Sequence, residues 1–296
     1  MSLFSTLQFI TQHPINKNHK LHALIRYAKW QIGSRLVPGQ VIIQWIDGTK
    51  FIAQPGETGL TQNIYCGLHE FQEMGYILHV LTPDDLFIDV GANVGSYTIL
   101  ACAARGARGY CFEPISTTYQ KLLENIKINN LSNRVKSYNI GISDKTGELF
   151  FTYNENTTNH VIGRGESNSN AMKVKVSTLD EVLTGESSTV LKIDVEGFEA
   201  RVINGAIHTL ENPSLHSVII EINEASKRYG LYEEQVIQIM NFMGFQIYAY
   251  DPIKRELIQF PGYKSDIGNS LFIRNIGLVK DRLSKASRVK VYNFEF

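Results

Sequence analysis

From residue 84 onward the chain alternates short apolar runs with stretches of helical period, and no other feature limits the fold as tightly. LFIDV (86–90), GYCF (109–112), STVLKIDV (188–195) and HSVIIEI (216–222) are mostly apolar along their length, without the strict polar alternation of a strand with one wet face. RVKSYNI (134–140), FQIYAYD (245–251) and SLFIRN (270–275) read as further strands. Between them, STTYQKLLENIKINN (116–130), GFEARVINGAIHTLE (197–211) and LYEEQVIQIMNFMG (231–244) carry helical spacing. Buried strands separated by helices predict a mostly parallel sheet covered on both faces, an open doubly wound α/β domain. A closed barrel needs eight repeated units, and eight are not there. GELFFTY (147–153) and KVKVSTLDEVL (173–183) add a strand and then a strand with a short helix. Upstream, residues 1–36 read as helical. VIIQWIDGTKFIAQ (41–54) reads as a hairpin turning at Asp47-Gly48, and LHEFQEMGYILHVL (68–81) as a helix stopped by Pro83. The expected organisation is an extension over 1–80 that caps the site, an α/β domain over 81–278 and a tail over 279–296.

Composition narrows the class. The 296 residues carry 29 basic and 29 acidic side chains, so no overall field favours nucleic acid or an anionic membrane. Three cysteines without a CxxC spacing fit reduced thiols in a cytoplasmic protein. We expect no nucleic-acid partner, no signal peptide and no membrane span, since no apolar run approaches ~20 residues. Oligomeric state is not legible.

The first strand leads into a glycine turn, FIDVGANVGSYTIL (87–100). Gly91 and Gly95 permit positive φ and close backbone approach, and the helix from Ser96 offers free N–H groups. Glu113 ends the next strand, 22 residues after Gly91, where an acid accepts from ribose hydroxyls. Together they point to a nucleoside-containing ligand. A dinucleotide needs a third glycine where Ser96 or Tyr97 stands, and Asp89 would oppose a pyrophosphate at short range. S-adenosylmethionine, with an ammonium, a sulfonium and no phosphate, removes that conflict. Asp89 also serves as an acceptor for the turn's own N–H groups.

These stretches resemble class I S-adenosylmethionine-dependent methyltransferases and, more narrowly, the FkbM methyltransferase family. The resemblance is carried by FIDVGANVGSYTI with CFEPISTTYQKLLENIKINN, by GISDKTGELFF, and by STLDEVL with LKIDVEGFEARVINGA, over roughly residues 65–275. It implies a Rossmann-like seven-stranded sheet whose last strand is antiparallel, and methyl transfer from S-adenosylmethionine to a hydroxyl of a sugar, polyketide or other natural product. It implies that Asp89, Gly91, Asn93 and Gly95 surround the methionine part and that Glu113 meets the ribose, with Pro114 shaping the strand exit. It puts Ser143 and Asp144 near adenine, although Asp144 also suits the turn before Lys145-Thr146-Gly147. The class folds its N-terminal segment over the pocket, where Tyr65 and Glu70 would close on the cofactor.

Transfer to an alcohol requires a group that takes the proton, or a metal that lowers the alcohol pKa. Asp194 and Glu196 end one strand, and Glu221 and Asn223 end its neighbour; two apart, each pair shares a face if extended. Asp194 is the first choice as base, with Glu196 and Glu221 next and His69 after them. The same carboxylates suit Mg²⁺, although no spaced metal motif is present. They also suit helix capping, or pairing with Lys192 and Arg201. Two other functions stay open: an NAD-dependent oxidoreductase and a non-catalytic cofactor-binding module. The acceptor, a small molecule or saccharide, must touch the polar loop 154–171, the N-terminal segment or the 252–269 connection.

Overall fold

The computed structural model describes all residues except 1–2, 38, 56–57, 154–158, 164–170, 223, 231–232 and 261–267. Eight strands form the main sheet: β1 (Leu86–Val90), β2 (Arg108–Phe112), β3 (Val135–Tyr138), β4 (Val190–Ile193), β5 (Ser217–Ile222), β6 (Gln246–Asp251), β7 (Glu256–Gln259) and β8 (Gly268–Ile273). Their order is β7-β6-β8-β5-β4-β1-β2-β3. β1 pairs in parallel with β2 and β4, β2 with β3, and β4 with β5, while β8 runs antiparallel to both β5 and β6.

The doubly wound α/β reading therefore holds, with one correction. The sheet has eight strands rather than seven, because β7 turns back antiparallel on β6 inside what the sequence presented as a connection. β7 is four residues long and three of them are exposed, so it carries almost no hydrophobic period.

Alternate residues of each strand feed two cores. Phe87, Cys111, Val190 and Ile219 pack on one face with the helix Phe71–Val80, and Ile88, Tyr110, Leu191 and Ile220 pack on the other with the helices Glu199–Asn204 and Glu233–Phe242. The order in which successive strands are added reverses between β1 and β4, the two central strands, which run parallel. Ligands of open α/β sheets bind outside the carboxyl ends of strands at such a point.

The remaining segments pack around the sheet, some beside that point and others at its far end. Gly141–Ile142, Gly147–Thr152 and Ala171–Ser177 form a separate three-stranded sheet whose Phe151, Val174 and Val176 pack with Ile115 and Phe198. The hairpin forms as expected, with Asp47 and Gly48 at φ 49° and 80°. Residues 1–36 make two helices, Leu3–Gln12 and Lys20–Leu36, which join Phe51, Leu60 and Cys66 in a core that reaches Val94 within the glycine turn and Ile99 beyond it. Residues 279–296 are not a loose tail. The helix Ile276–Lys285 sends Arg282 to the buried Asp85 at 2.8 Å, and Val291 and Phe296 enter the main core. The three cysteines are buried free thiols.

Candidate active site

A cavity of about 260 Å³ opens at the carboxyl ends of β1, β2 and β4. The glycine turn forms its floor. Gly91 has φ 80°, and a Cβ there would stand 1.8 Å from the carbonyl oxygen of Asp194. Its glycine is therefore dictated by contact between the two strand exits, a constraint invisible in the sequence. Gly95, at φ 95°, leaves room for Leu122 and starts the helix at Ser96. Asn93 sits in the left-handed region at φ 51°, with its Oδ1 accepting from Val94 N at 2.7 Å. Asparagine is among the residues that tolerate this region.

Glu113 stands where expected. It is buried at the end of β2, and its two oxygens accept from the amides of Asn93 (3.0 Å) and Ile115 (2.9 Å). Burial pushes its pKa up to about 7, although both amides pull the other way. Asp89 is buried beneath the turn and accepts from the Thr98 hydroxyl at 2.6 Å; burial lifts its pKa to about 6 against the opposing charge of Lys192. The structural role foreseen for Asp89 is thus filled by a helix side chain rather than by turn amides.

Register explains the next contacts. Asp89 and Lys192 are paired positions on adjacent parallel strands, and Lys192 pairs onward with Ile219, two before Glu221. Lys192, Asp89 and Glu221 therefore project from the same sheet face. The ammonium of Lys192 lies 2.5 Å from Asp194 Oδ2 and 4.6 Å from the centre of the Tyr97 ring, with only 2% of its side chain exposed. Burial pulls its pKa down, but Asp194, Glu70 and Asp89 outweigh that and hold it charged. Tyr97 donates to Glu70 at 2.6 Å, and Asn269 on β8 donates to the other Glu70 oxygen at 2.8 Å. Glu70 thus lines the cavity. Tyr65 does not: it is buried against Tyr27 and receives a hydrogen bond from Gln31.

Asp194, Glu196 and Glu221 come together, with one oxygen of each within 4.8 Å of the others. The reason differs from the strand alternation expected. β4 ends at Ile193, and Glu196 reaches the cluster through a left-handed conformation, φ 53°. Gly197 follows at φ 96°, where a Cβ would strike the backbone of Ala225, and Glu199 accepts from its amide at 3.0 Å. Of the acids in this stretch, the one that accepts from a backbone amide at the helix start is Glu199. Asn223 lies outside the described residues.

The three acids are electrostatically unequal. Burial alone would raise Asp194, but the Lys192 ammonium and a hydrogen bond from Glu221 keep its pKa below the usual value. Burial and the Asp194 charge push Glu221 far up, so Glu221 carries the proton it shares with Asp194, while its Oε2 is buried without a partner. Glu196 is raised by burial and by Asp194. Asp194, the first choice as base, is therefore the least able of the three to take a proton. His69 also lines the cavity, and burial lowers its pKa, which keeps it neutral.

Two expected residues lie elsewhere. Ser143 donates to Asp144 and its carbonyl is packed against Gly205, while Asp144 pairs with Arg201 at 2.5 Å, which holds its pKa below the usual range against burial. The cavity wall after β3 is instead apolar, made by Ile140, Gly141 and Ile142. Pro114 does line the cavity. So do Asn159 and Val161, from the loop expected to meet the acceptor, and Phe151 and Phe198, which no motif singled out. Asn159 and Val161 belong to the 154–171 loop, of which 154–158 and 164–170 lie outside the described residues.

The family model described as the methyltransferase FkbM domain matches residues 89–247, from Asp89 to the start of β6. The chain belongs to the FkbM methyltransferase family. Within it, the hexuronic acid methyltransferase AglP of Haloferax volcanii is 31% identical over 153 residues, which cover 50% of this chain and 59% of that protein. The 31-O-demethyl-FK506 methyltransferase FkbM of Streptomyces tacrolimicus is 23% identical over 220 residues, covering 62% of this chain and 82% of its own length. A crystal structure of an FkbM methyltransferase from Methylobacillus flagellatus aligns over 72% of this chain and 54% of that one, at 15% identity and a TM-score of 0.44. Among the described residues, no helix is long and apolar enough to cross a membrane.

Proposed function

We propose that this chain is an S-adenosylmethionine-dependent O-methyltransferase acting on a hydroxyl of a saccharide, glycoconjugate or related natural product. The observation that carries this reading is the acidic lining of the cavity, in which Asp194 stays ionised beside Lys192. Glu70, Asp89, Glu113, Asp194, Glu196 and Glu221 line it, against one lysine. A pyrophosphate brought to the β1 exit would meet these carboxylates at short range, which counts against NAD. A ligand with an ammonium and a sulfonium meets opposite charge instead. Each Glu113 oxygen accepts one amide and retains a lone pair for a ribose hydroxyl. The unpartnered Glu221 Oε2 is a buried polar atom that a ligand donor would satisfy.

When bound, S-adenosylmethionine supplies a methyl group on positively charged sulfur, the electrophile of the transfer. The acceptor hydroxyl must lose its proton as the new carbon–oxygen bond forms. Glu196 is assigned as general base: it lines the cavity, and its raised pKa makes it a better proton acceptor than Asp194. Asp194 holds Lys192 and the proton of Glu221, which fixes the charge and shape of the cluster. The Lys192 ammonium already places beside these carboxylates the positive charge that Mg²⁺ would bring, which counts against a metal there. One relative is named for a hexuronic acid and another for an O-demethyl compound, and the oxygen nucleophile is carried over from those names.

The test is transfer of labelled methyl from S-adenosylmethionine to a panel of neutral and acidic saccharides. The expected product is a methyl ether, whose label survives mild alkali. Label released by alkali would mark a carboxyl ester and contradict a hydroxyl acceptor.

A further inference from the structure

The even balance of charge along the chain conceals a separation. Residues 1–46 contain five lysines and arginines and not one aspartate or glutamate, so the remaining 24 basic groups face all 29 acidic ones after Ile46. Lys17, Lys20, Lys29 and Arg35 are exposed.

The helix Lys20–Leu36 has two apolar sides. Ala23, Tyr27 and Trp30 turn into the core of the extension. On the other side Leu21, Ile25, Ala28, Ile32 and Leu36 are all exposed, at spacings of four, three, four and four residues, and Leu21, Ile32 and Leu36 are 68%, 60% and 76% accessible. That spacing makes one continuous stripe, about 22 Å long at 1.5 Å per residue. At 3.6 residues per turn Lys29 borders the stripe on one side and Arg35 on the other. Leu3 and Phe4 of the preceding helix are also exposed, at 64% and 77%.

We infer that this helix docks the protein on an anionic lipid surface, lying in the interface plane with the aliphatic stripe toward the acyl chains. Charge selects this occupant. A stripe with cations on both borders and no acid in the segment repels a second copy brought stripe to stripe, and is attracted to lipid phosphates. The long side chains of Lys29 and Arg35 can keep their charges at headgroup level while the leucines and isoleucines sink between them. The helix packs on Thr58–Cys66, through Gln31 to Tyr65 at 2.9 Å, and Thr58–Cys66 carries Gln62 to the cavity wall. A docked protein would thus work on acceptors held at the membrane surface.

The test is co-sedimentation of the full chain with phosphatidylcholine vesicles, with and without phosphatidylglycerol. Binding should be roughly tenfold or more stronger with the anionic lipid and should weaken as salt rises. Ile25→Ser with Ile32→Ser, and separately Lys29→Gln with Arg35→Gln, should each lower binding by about tenfold, with the circular dichroism melt unchanged because these side chains are exposed. No binding to the anionic vesicles would overturn the inference, as would binding indifferent to both pairs. Light scattering that shows a dimer dissolved by Ile32→Ser would assign the stripe to a second copy instead.

Discussion

At the exit of β1 the left-handed position is filled by Asn93; at the exit of β4 it is filled by Glu196. Both exits also contain a glycine whose missing Cβ faces backbone, Gly91 against Asp194 and Gly197 against Ala225. The first exit is at ease: asparagine suits its conformation, and Asp89 and Glu113 are bonded to neighbouring groups. The second holds a glutamate where glycine or asparagine would be cheaper, beside an ion pair and a carboxyl with an unpartnered oxygen. On the function proposed above, the β4 exit, where the cost is tolerated, is the reacting side and the β1 exit the holding side.

The largest expected effects separate two acids of the β4 exit. Asp194→Asn leaves the Lys192 charge buried without its nearest partner. It should cost about 3–5 kcal/mol in a denaturant titration, with activity lost as well. Glu196→Gln should lower turnover by about 10²–10⁴-fold while leaving the melting temperature and cofactor affinity nearly unchanged. Equal damage to stability by both variants would erase the distinction. Gly91→Ala comes next. It forces a Cβ onto the Asp194 carbonyl at positive φ, and calorimetric melting should show a loss of about 3 kcal/mol or more, because the two exits touch there.

Smaller effects sharpen the holding side. Glu113→Gln should weaken cofactor binding by about 1–3 kcal/mol, read by titration. Glu113 and Asp89 have pKa values raised to about 7 and about 6 by burial, so both are partly protonated near neutrality in the free protein. Hydroxyl donors and a cation favour their ionised forms. Binding should therefore release protons, and affinity should fall as pH drops from about 8 through 6. In the free protein these two groups act in the opposite sense. Each binds its proton more tightly folded than unfolded, so their contribution to stability is lost as pH rises from about 4 to 7. The smallest expected effect is a gain: Glu196→Gly relieves the left-handed strain and should raise stability by about 0.5–1 kcal/mol while turnover collapses.

Local order made the fold legible. Apolar strands, helical periods and the Asp47-Gly48 turn each declare themselves over a few residues. β7 did not, because a short exposed edge strand has no buried face to mark it, and the C-terminal segment did not, because Arg282 and Phe296 find their partners some 200 residues away in sequence. At the site, motif positions such as Asp89, Glu113 and Glu70 were readable. Roles were less so. That Asp194 is occupied by Lys192, and that Tyr97 and Asn269 steady Glu70, follow from strand register and side-chain reach across β1, β4 and β8. Ser143 and Asp144 show the reverse: an expected pair withdrawn from the cavity by Arg201 and by the close approach of Gly205.

On the proposed function, the β1 exit holds a cationic, phosphate-free nucleoside. Isothermal titration of the intact chain with S-adenosylmethionine, S-adenosylhomocysteine and NAD tests it most directly. Saturable binding of the two sulfur compounds, weakened in Glu113→Gln and absent for NAD, is the predicted result. Binding of NAD with neither sulfur compound would contradict it.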